Sequence, residues 1–269
     1  MAASLVRSPV APVATADVLG VEYFAGSLED AAALVLGRVL ARRGGYASLC
    51  GVHGVILAQH RPSLMAALQG AWMTFPDGAP VAWLMRRTGA ESARRVAGPD
   101  LMPRLIDLGQ AHGVRHFFLG STPDVLDALR CGIEHRWPDA AIAGMTSPPF
   151  RELRPDEREA LLAEIRSAEP DVVWVGLGLP KQDEWMHTHA RALRPAVVLG
   201  VGAAFDFEAR TKARAPGWMQ RAGLEWFHRL CCEPRRLARR YATTNTEFIV
   251  RAGLLLARAQ VRRVVRRSG

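Results

Sequence analysis

The sequence predicts an α/β fold: a mostly parallel sheet with helices on both faces, followed by a basic C-terminal helical appendage. Three observations carry this. Short apolar runs alternate with stretches of helical periodicity, the runs are nearly continuous in apolar residues as buried parallel strands require, and the basic charge collects at one end.

Taken in order, residues 1–16 are rich in Ala, Pro and Ser and read as a flexible leader. With one Arg and no sustained apolar stretch they do not make a signal peptide. The segment "SLEDAAALVLGRVLARR" predicts a helix, with Ser27 as N-cap, Asp30 three residues on and an apolar stripe behind them. The runs "YASLCGV", "AWMTF", "RHFFLG", "AIAGM", "DVVWVGLG" and "AVVLGVG" read as strands, each followed by a helical pattern or a turn. No internal repeat is present. The expected division is a core over 17–223 and an appendage over 224–269.

Charge narrows the partners. Between Arg229 and Gly269 eleven arginines face only Glu233 and Glu247, which accounts for the net +9 of the whole chain and leaves residues 1–228 neutral. A charge confined to one end says that one segment meets an anion: nucleic acid, a phosphorylated ligand or an anionic membrane surface. Beyond Tyr241 the only aromatic residue is Phe248, so the tail lacks the interleaved rings of a single-strand binder. A nucleic-acid-binding protein is therefore the second reading. Cys50, Cys131, Cys231 and Cys232 show no CxxC or Cys/His spacing, which predicts reduced thiols in a cytosolic compartment and no structural zinc. No uncharged apolar run reaches the roughly 18 to 20 residues of a spanning helix.

In parallel sheets ligands sit beyond the carboxyl ends of the strands. In "TFPDGAPVAW", Asp77 stands where a site carboxylate would, with Gly78 beside it; capping of the next helix or an Asx turn is the alternative. "RRVAGPDLMPRLIDLG" places Arg94 and Arg95 before a turn and predicts Asp100 as the next N-cap; the arginines read as a solvated face or as part of a site. In "DVVWVGLGLPKQDEWMHTHA", Gly176 and Gly178 close a strand and Lys181 with Gln182 opens a helix, an end suited to a diphosphate. "VVLGVGAAFDFEARTK" supplies Gly200, Gly202, Asp206 and Glu208. Phe205 replaces the third glycine of a dinucleotide fingerprint, so a nicotinamide enzyme is weakly supported. The acid pair reads as metal ligands or as a turn plus a solvated carboxylate.

Together "PDGAPVAW", "RVAGPDL", "FFLGSTPDV", "VGLGLPKQDEW", "GVGAAFDFEA" and "RAPGWMQRAGLEWFHRLCCEPRRLARRY" resemble the WecG/TagA/CpsF family of glycosyltransferases, from about Val21 to Tyr241. The resemblance implies a Rossmann-like core and transfer of a sugar from a UDP-sugar donor to a polyprenyl-diphosphate-linked glycan acceptor, with inversion, at the cytoplasmic face of the membrane. It implies no cofactor and no metal. By likeness Asp77 is the general base, Arg95 and Gln182 line the active site, and Asp206 contacts the nucleotide. Arg229, Arg236 and Arg239 approach the diphosphate when the appendage docks. Gly78, Gly120, Gly176, Gly178, Lys181 and Gly202 complete the candidate substrate-binding set. The chemistry suits these types: an acceptor hydroxyl needs a carboxylate to take its proton, and arginine forks suit a diphosphate. One departure is expected at the family's Thr-x-Asn motif, where Leu49 and Gly51 stand and no side-chain hydrogen bond is offered.

The rest of the tail reads as a membrane-facing helix, with Val250, Leu254, Ala257, Val261 and Val265 on one side and Arg251, Arg258, Arg262 and Arg266 on the other. Packing of that helix on the protein's own core is the alternative. The sequence leaves a homo-oligomer open, and it does not name the donor sugar: N-acetylmannosamine type, its uronic acid or a hexose.

Overall fold

In the computed structural model, which describes residues 13–268, the six expected strands are β3 (Gly45–Cys50), β4 (Met73–Pro76), β5 (Arg115–Gly120), β6 (Ala141–Thr146), β7 (Val172–Gly176) and β8 (Val197–Gly200). The side chains of Arg221, Arg229, Arg236, Leu237, Arg239, Arg240, Arg258 and residues 261–268 lie outside that description. Two further strands, β1 (Thr15–Val18) and β2 (Val21–Phe24), form an antiparallel hairpin around Leu19 and Gly20. β1 thus begins inside the stretch expected to be a leader, and residues 1–12 are outside the described residues. β2 joins β4 in parallel, and the sheet runs β1-β2-β4-β3-β8-β7-β5-β6 with every pair but the first parallel.

Helices cover both faces. On one, α1 (Leu28–Leu40), α5 (Gly98–Gln110), α6 (Pro123–Arg136) and α9 (Ala204–Glu208) pack on Ala47, Leu49, Trp174 and Leu199. On the other, α2 (Val52–His60), α3 (Pro62–Gly70) and α4 (Ala79–Thr88) pack on Tyr23 and Cys50, while α7 (Pro155–Ser167) and α8 (Lys181–His189) pack on Phe117, Val173 and Val198. The chain leaves β3 towards one face and its neighbour β8 towards the other, and that divergence makes their carboxyl ends the topological switch point, where open parallel sheets bind ligands.

The start of α1 is the capping box that its sequence predicts: Ser27 Oγ accepts from the Asp30 N–H at 3.1 Å, and Asp30 Oδ2 accepts from the Ser27 N–H at 2.9 Å. The expectation for Asp100 is corrected. Ala97 is the N-cap of α5, and Pro99 occupies the first turn, where its missing N–H costs nothing. Asp100 lies inside that turn, free to pair elsewhere.

α10 (Gly217–Arg221) closes the stretch expected to be core, and the expected appendage holds α11 (Glu225–Cys232) and α12 (Pro234–Ser268). α12 runs back along α2 and α4 and buries Phe248 and Ala252 among Val55, Ile56, Leu84 and Met85. A buried Phe is worth about 1.5–3 kcal/mol, so this seam anchors the helix. Ile249, Val250 and Leu254 remain 69%, 59% and 57% exposed. The helix therefore packs on the core with one stripe and presents a second, which holds Val250 and Leu254 of the expected apolar side. Val261, Val265, Arg258, Arg262 and Arg266 of that reading fall among the undescribed side chains. Glu247 ties the helix down, accepting from Arg251 Nε at 2.7 Å and meeting His60 Nε2 at 2.9 Å. Among the described residues no helix is long and apolar enough to cross a membrane.

Candidate active site

Asp77 follows β4 directly, half-buried, with its N–H donating to the Cys50 carbonyl at 3.1 Å. Gly51 makes this juncture possible: a Cβ there would stand 2.2 Å from the Asp77 carbonyl oxygen. Its side chain is absent because the two strand ends touch. Leu49, the other position of the expected departure, faces the core, and the β3 residues turned to the opposite face are Ser48 and Cys50. Gly78 rather than Asp77 is the N-cap of α4, which has no side-chain cap.

Arg95 is brought to the same place by the backbone. The Val96 N–H donates to the Pro76 carbonyl at 2.9 Å and the Arg94 N–H to Gly26 at 3.0 Å, so the loop is zipped along the ends of β2 and β4. Arg94 is exposed, whereas the Arg95 side chain is 22% exposed and bonded to Asp100 Oδ2 at 2.9 Å and to Glu225 Oε2. Arg214 bonds the same two carboxylates, at 2.6 Å to Asp100 and 3.2 Å to Glu225. Burial works against the Arg214 charge, but Asp100 and Glu225 outweigh it and raise its pKa.

The appendage meets the site here. A Cβ on Gly223 would lie 3.0 Å from that of Ala79, so the turn between α10 and α11 rests on the start of α4. His228, Cys232 and Glu233 then face Phe207, Lys212 and Ala213 across a cleft of about 230 Å³. Arg229 follows His228 in α11, and Arg236 and Arg239 lie in the first turns of α12; their side chains are outside the described residues. A larger depression of about 460 Å³ lies between α3 and α8, where Arg61 is already paired with Glu184 at 2.7 Å.

Gln182 is buried, and its Oε1 accepts from the Gly202 N–H at 3.2 Å. It binds the start of α8 to the turn after β8. Lys181 is exposed at the first position of α8. The glycines separate into two kinds. A Cβ on Gly120 would come within 2.6 Å of the Gly176 carbonyl, and one on Gly176 within 2.8 Å of the Phe205 ring, so both are fixed by strand packing. At Gly178 and Gly202 a Cβ would meet nothing within 4 Å, and their backbone borders open space. Asp206 pairs with Lys212 at 3.5 Å and Glu208 with Arg136 at 3.1 Å, so the two acids are turned to different cations. Among the described residues no group of three His, Cys, Asp or Glu side chains could hold a metal.

Sequence reading missed Asp183. It is 1% exposed, with both carboxylate oxygens buried without a hydrogen bond of good geometry. Burial raises its pKa to about 6, while Ser48 and Gln182 pull the other way. Tyr23 and Cys50, also fully buried, are pushed up by burial and by the negative charges of Asp183 and Asp77. An acid raised from 3.8 in the unfolded chain to about 6 when folded contributes stability that is complete below 3.8 and lost as pH climbs to 6. Asp183→Asn should therefore stabilise the protein by about 2–3 kcal/mol above pH 7, with the difference vanishing near pH 4. Urea unfolding at pH 4.5 and 7.5 checks this; an equal effect at both would contradict it.

The Rossmann-like sheet thus carries at its strand ends the Asp77 carboxylate, the loop of Arg95 and, at Lys181, the start of a helix. The family model described as Glycosyl transferase WecG/TagA/CpsF family matches residues 16–263, and the chain belongs to that family. It is 33% identical over 164 residues to an N-acetylglucosaminyldiphosphoundecaprenol N-acetyl-beta-D-mannosaminyltransferase of Bacillus subtilis (strain 168), covering 61% of this chain and 62% of the relative. It is 29% identical over 163 residues to a protein of the same name in Staphylococcus aureus (strain NCTC 8325 / PS 47), with the same coverage. The match thus spans about three fifths of the length of these relatives.

Proposed function

We propose that the chain is an inverting glycosyltransferase that moves a sugar from a UDP-sugar to a polyprenyl-diphosphate-linked saccharide in cell-surface polysaccharide synthesis. The donor sugar is of the N-acetylmannosamine type, its uronic acid or a hexose, and the relatives' names favour the first. The observation that carries this reading is the placement of Asp77 and Arg95 on one strand end, covered by an appendage whose next residues are the arginines. Asp77 takes the proton of the acceptor hydroxyl as its oxygen bonds to the anomeric carbon. The bond to UDP breaks on the opposite face, and its electron pair leaves with the diphosphate. Lys181, the start of α8 and the appendage arginines would neutralise that charge. The exposed stripe and basic end of α12 suit a peripheral seat on the cytoplasmic face of an anionic membrane.

Metal independence belongs to this reading and is supported by the absence of a D-x-D triplet in the sequence and by the separate pairing of Asp206 and Glu208. UDP release from a UDP-sugar with a polyprenyl-diphosphate glycan acceptor should persist in EDTA. Loss that Mg²⁺ or Mn²⁺ restores would show that these acids act as ligands.

A further inference from the structure

We propose that Glu225 and Arg214 are positioning residues: with Arg95 and Asp100 they close a ring of alternating charges that fixes the orientation of the Arg95 guanidinium, on the loop bonded to the end of β4, only when the appendage is docked. This rests on the glycosyltransferase reading for its catalytic part.

The ring has four edges: Arg95 to Asp100 at 2.9 Å, Asp100 to Arg214 at 2.6 Å, Arg214 to Glu225 at 3.2 Å and Glu225 to Arg95. Its members come from three places in the chain. Arg95 and Asp100 flank the start of α5, Arg214 lies in the segment between α9 and α10, and Glu225 opens α11. All four side chains are 18–25% exposed, so solvent screens the ring far less than an ordinary surface pair. The contrast is with Arg104 and Asp107 on the same helix, 39% and 50% exposed, which form an ordinary surface pair three residues apart.

The core end of the ring is rigid. Val96 is hydrogen-bonded to Pro76, and a Cβ on Gly98 would lie 2.6 Å from the Val201 carbonyl, so the loop carrying Arg95 is held against the ends of β4 and β8. The guanidinium itself has one anchor from the core, through Nη1, and one from the appendage, through Nη2. Two anchors on one planar fork fix its plane; one leaves it free to swing. The ring uses two of the five N–H donors of Arg95, which leaves three to meet an anionic ligand. Glu225, at the first residue of α11, is also favoured by that helix's dipole. Docking of α11 and alignment of Arg95 are thereby one event.

The test compares Glu225→Gln, which keeps the shape and removes the charge, with Glu225→Asp, which keeps the charge and shortens the arm. Amide hydrogen exchange and turnover are measured on each, with Arg104→Gln as the control outside the ring. Glu225→Gln should speed exchange over residues 217–232 while β5, β7 and the core-bonded loop 94–97 exchange as before, and should lower turnover about tenfold, the loss of one charge-assisted hydrogen bond. Glu225→Asp should recover most of that loss. If Glu225→Gln does not fold, Arg214→Lys, which keeps charge but loses the fork, carries the same expectation. Unchanged exchange over 217–232 overturns the ring as a latch whether or not any transfer is detected. Faster exchange with turnover as good in the Gln variant as in the Asp variant overturns its part in aligning Arg95.

Discussion

Replacing Asp77 by Asn should lower turnover by roughly 100-fold or more and leave UDP binding nearly unchanged. Asn has almost the same shape, and the backbone helps to hold this position through the N–H bonded to Cys50 and the carbonyl lying against Gly51. The variant is therefore expected to keep its place at the end of β4 and to lose the carboxylate that would accept the acceptor's proton. Steady-state kinetics beside calorimetric titration with UDP separates the two quantities. Turnover near the wild-type value would remove Asp77 from the base role, and a parallel loss of UDP binding would make it a binding residue instead.

The second large effect concerns the basic end, and the packing of α12 decides where to cut. Removing everything after Tyr241 would strip Phe248 and Ala252 from the core and expose Val55, Leu84 and Met85, confusing stability with function. Truncation after Ala257 spares that seam and removes Arg258, Arg262, Arg263, Arg266 and Arg267. At about 1 kcal/mol per basic residue near an anionic surface, vesicle binding should weaken well over tenfold at low salt, and the difference should shrink as salt rises. Turnover on a short soluble acceptor should stay within about threefold, because no group near the leaving diphosphate is lost. Substituting Arg229, Arg236 and Arg239 together by Gln should do the reverse. Turnover on the soluble acceptor should fall roughly 100-fold or more, since each cation at a developing charge is worth about 1.5–3 kcal/mol. Co-sedimentation with anionic vesicles and soluble-acceptor kinetics, run on both variants, check the pair. Unchanged vesicle binding in the truncation would contradict a membrane seat for the tail, and unchanged turnover in the triple variant would contradict its arginines at the diphosphate.

What the sequence disclosed follows from the range of the interactions concerned. Strands β3 to β8 were legible because strands covered on both faces must be apolar nearly throughout. The start of α1 was legible because Ser27 and Asp30 satisfy each other within three residues. The hairpin β1–β2 was not: its four-residue strands carry Asp17 and Glu22 on an exposed face and mimic a polar leader. Asp100 was misplaced as a cap because Gly98 and Pro99 begin the helix earlier, and its partners, Arg95 and Arg214, are set by the fold. Asp183 gave no signal, since its burial comes from strands distant in sequence. The places of Asp77 after β4 and of Lys181 at the start of α8 were legible because an apolar run that ends in a turn marks the carboxyl end of a strand. The ring through Glu225 was not, because it joins residues 130 apart in the chain.

The central claim is that this chain transfers a sugar from a UDP-sugar to a lipid-linked acceptor through Asp77. Its most direct test is a panel of UDP-sugars, including UDP-N-acetylmannosamine, incubated with the protein and a polyprenyl-diphosphate N-acetylglucosamine acceptor, with UDP release and the glycosylated lipid followed together. The account predicts release that requires the acceptor, equimolar formation of an inverted glycosidic product with at least one donor, and loss of both in Asp77→Asn. Release without product, or product formed equally well by Asp77→Asn, would contradict it.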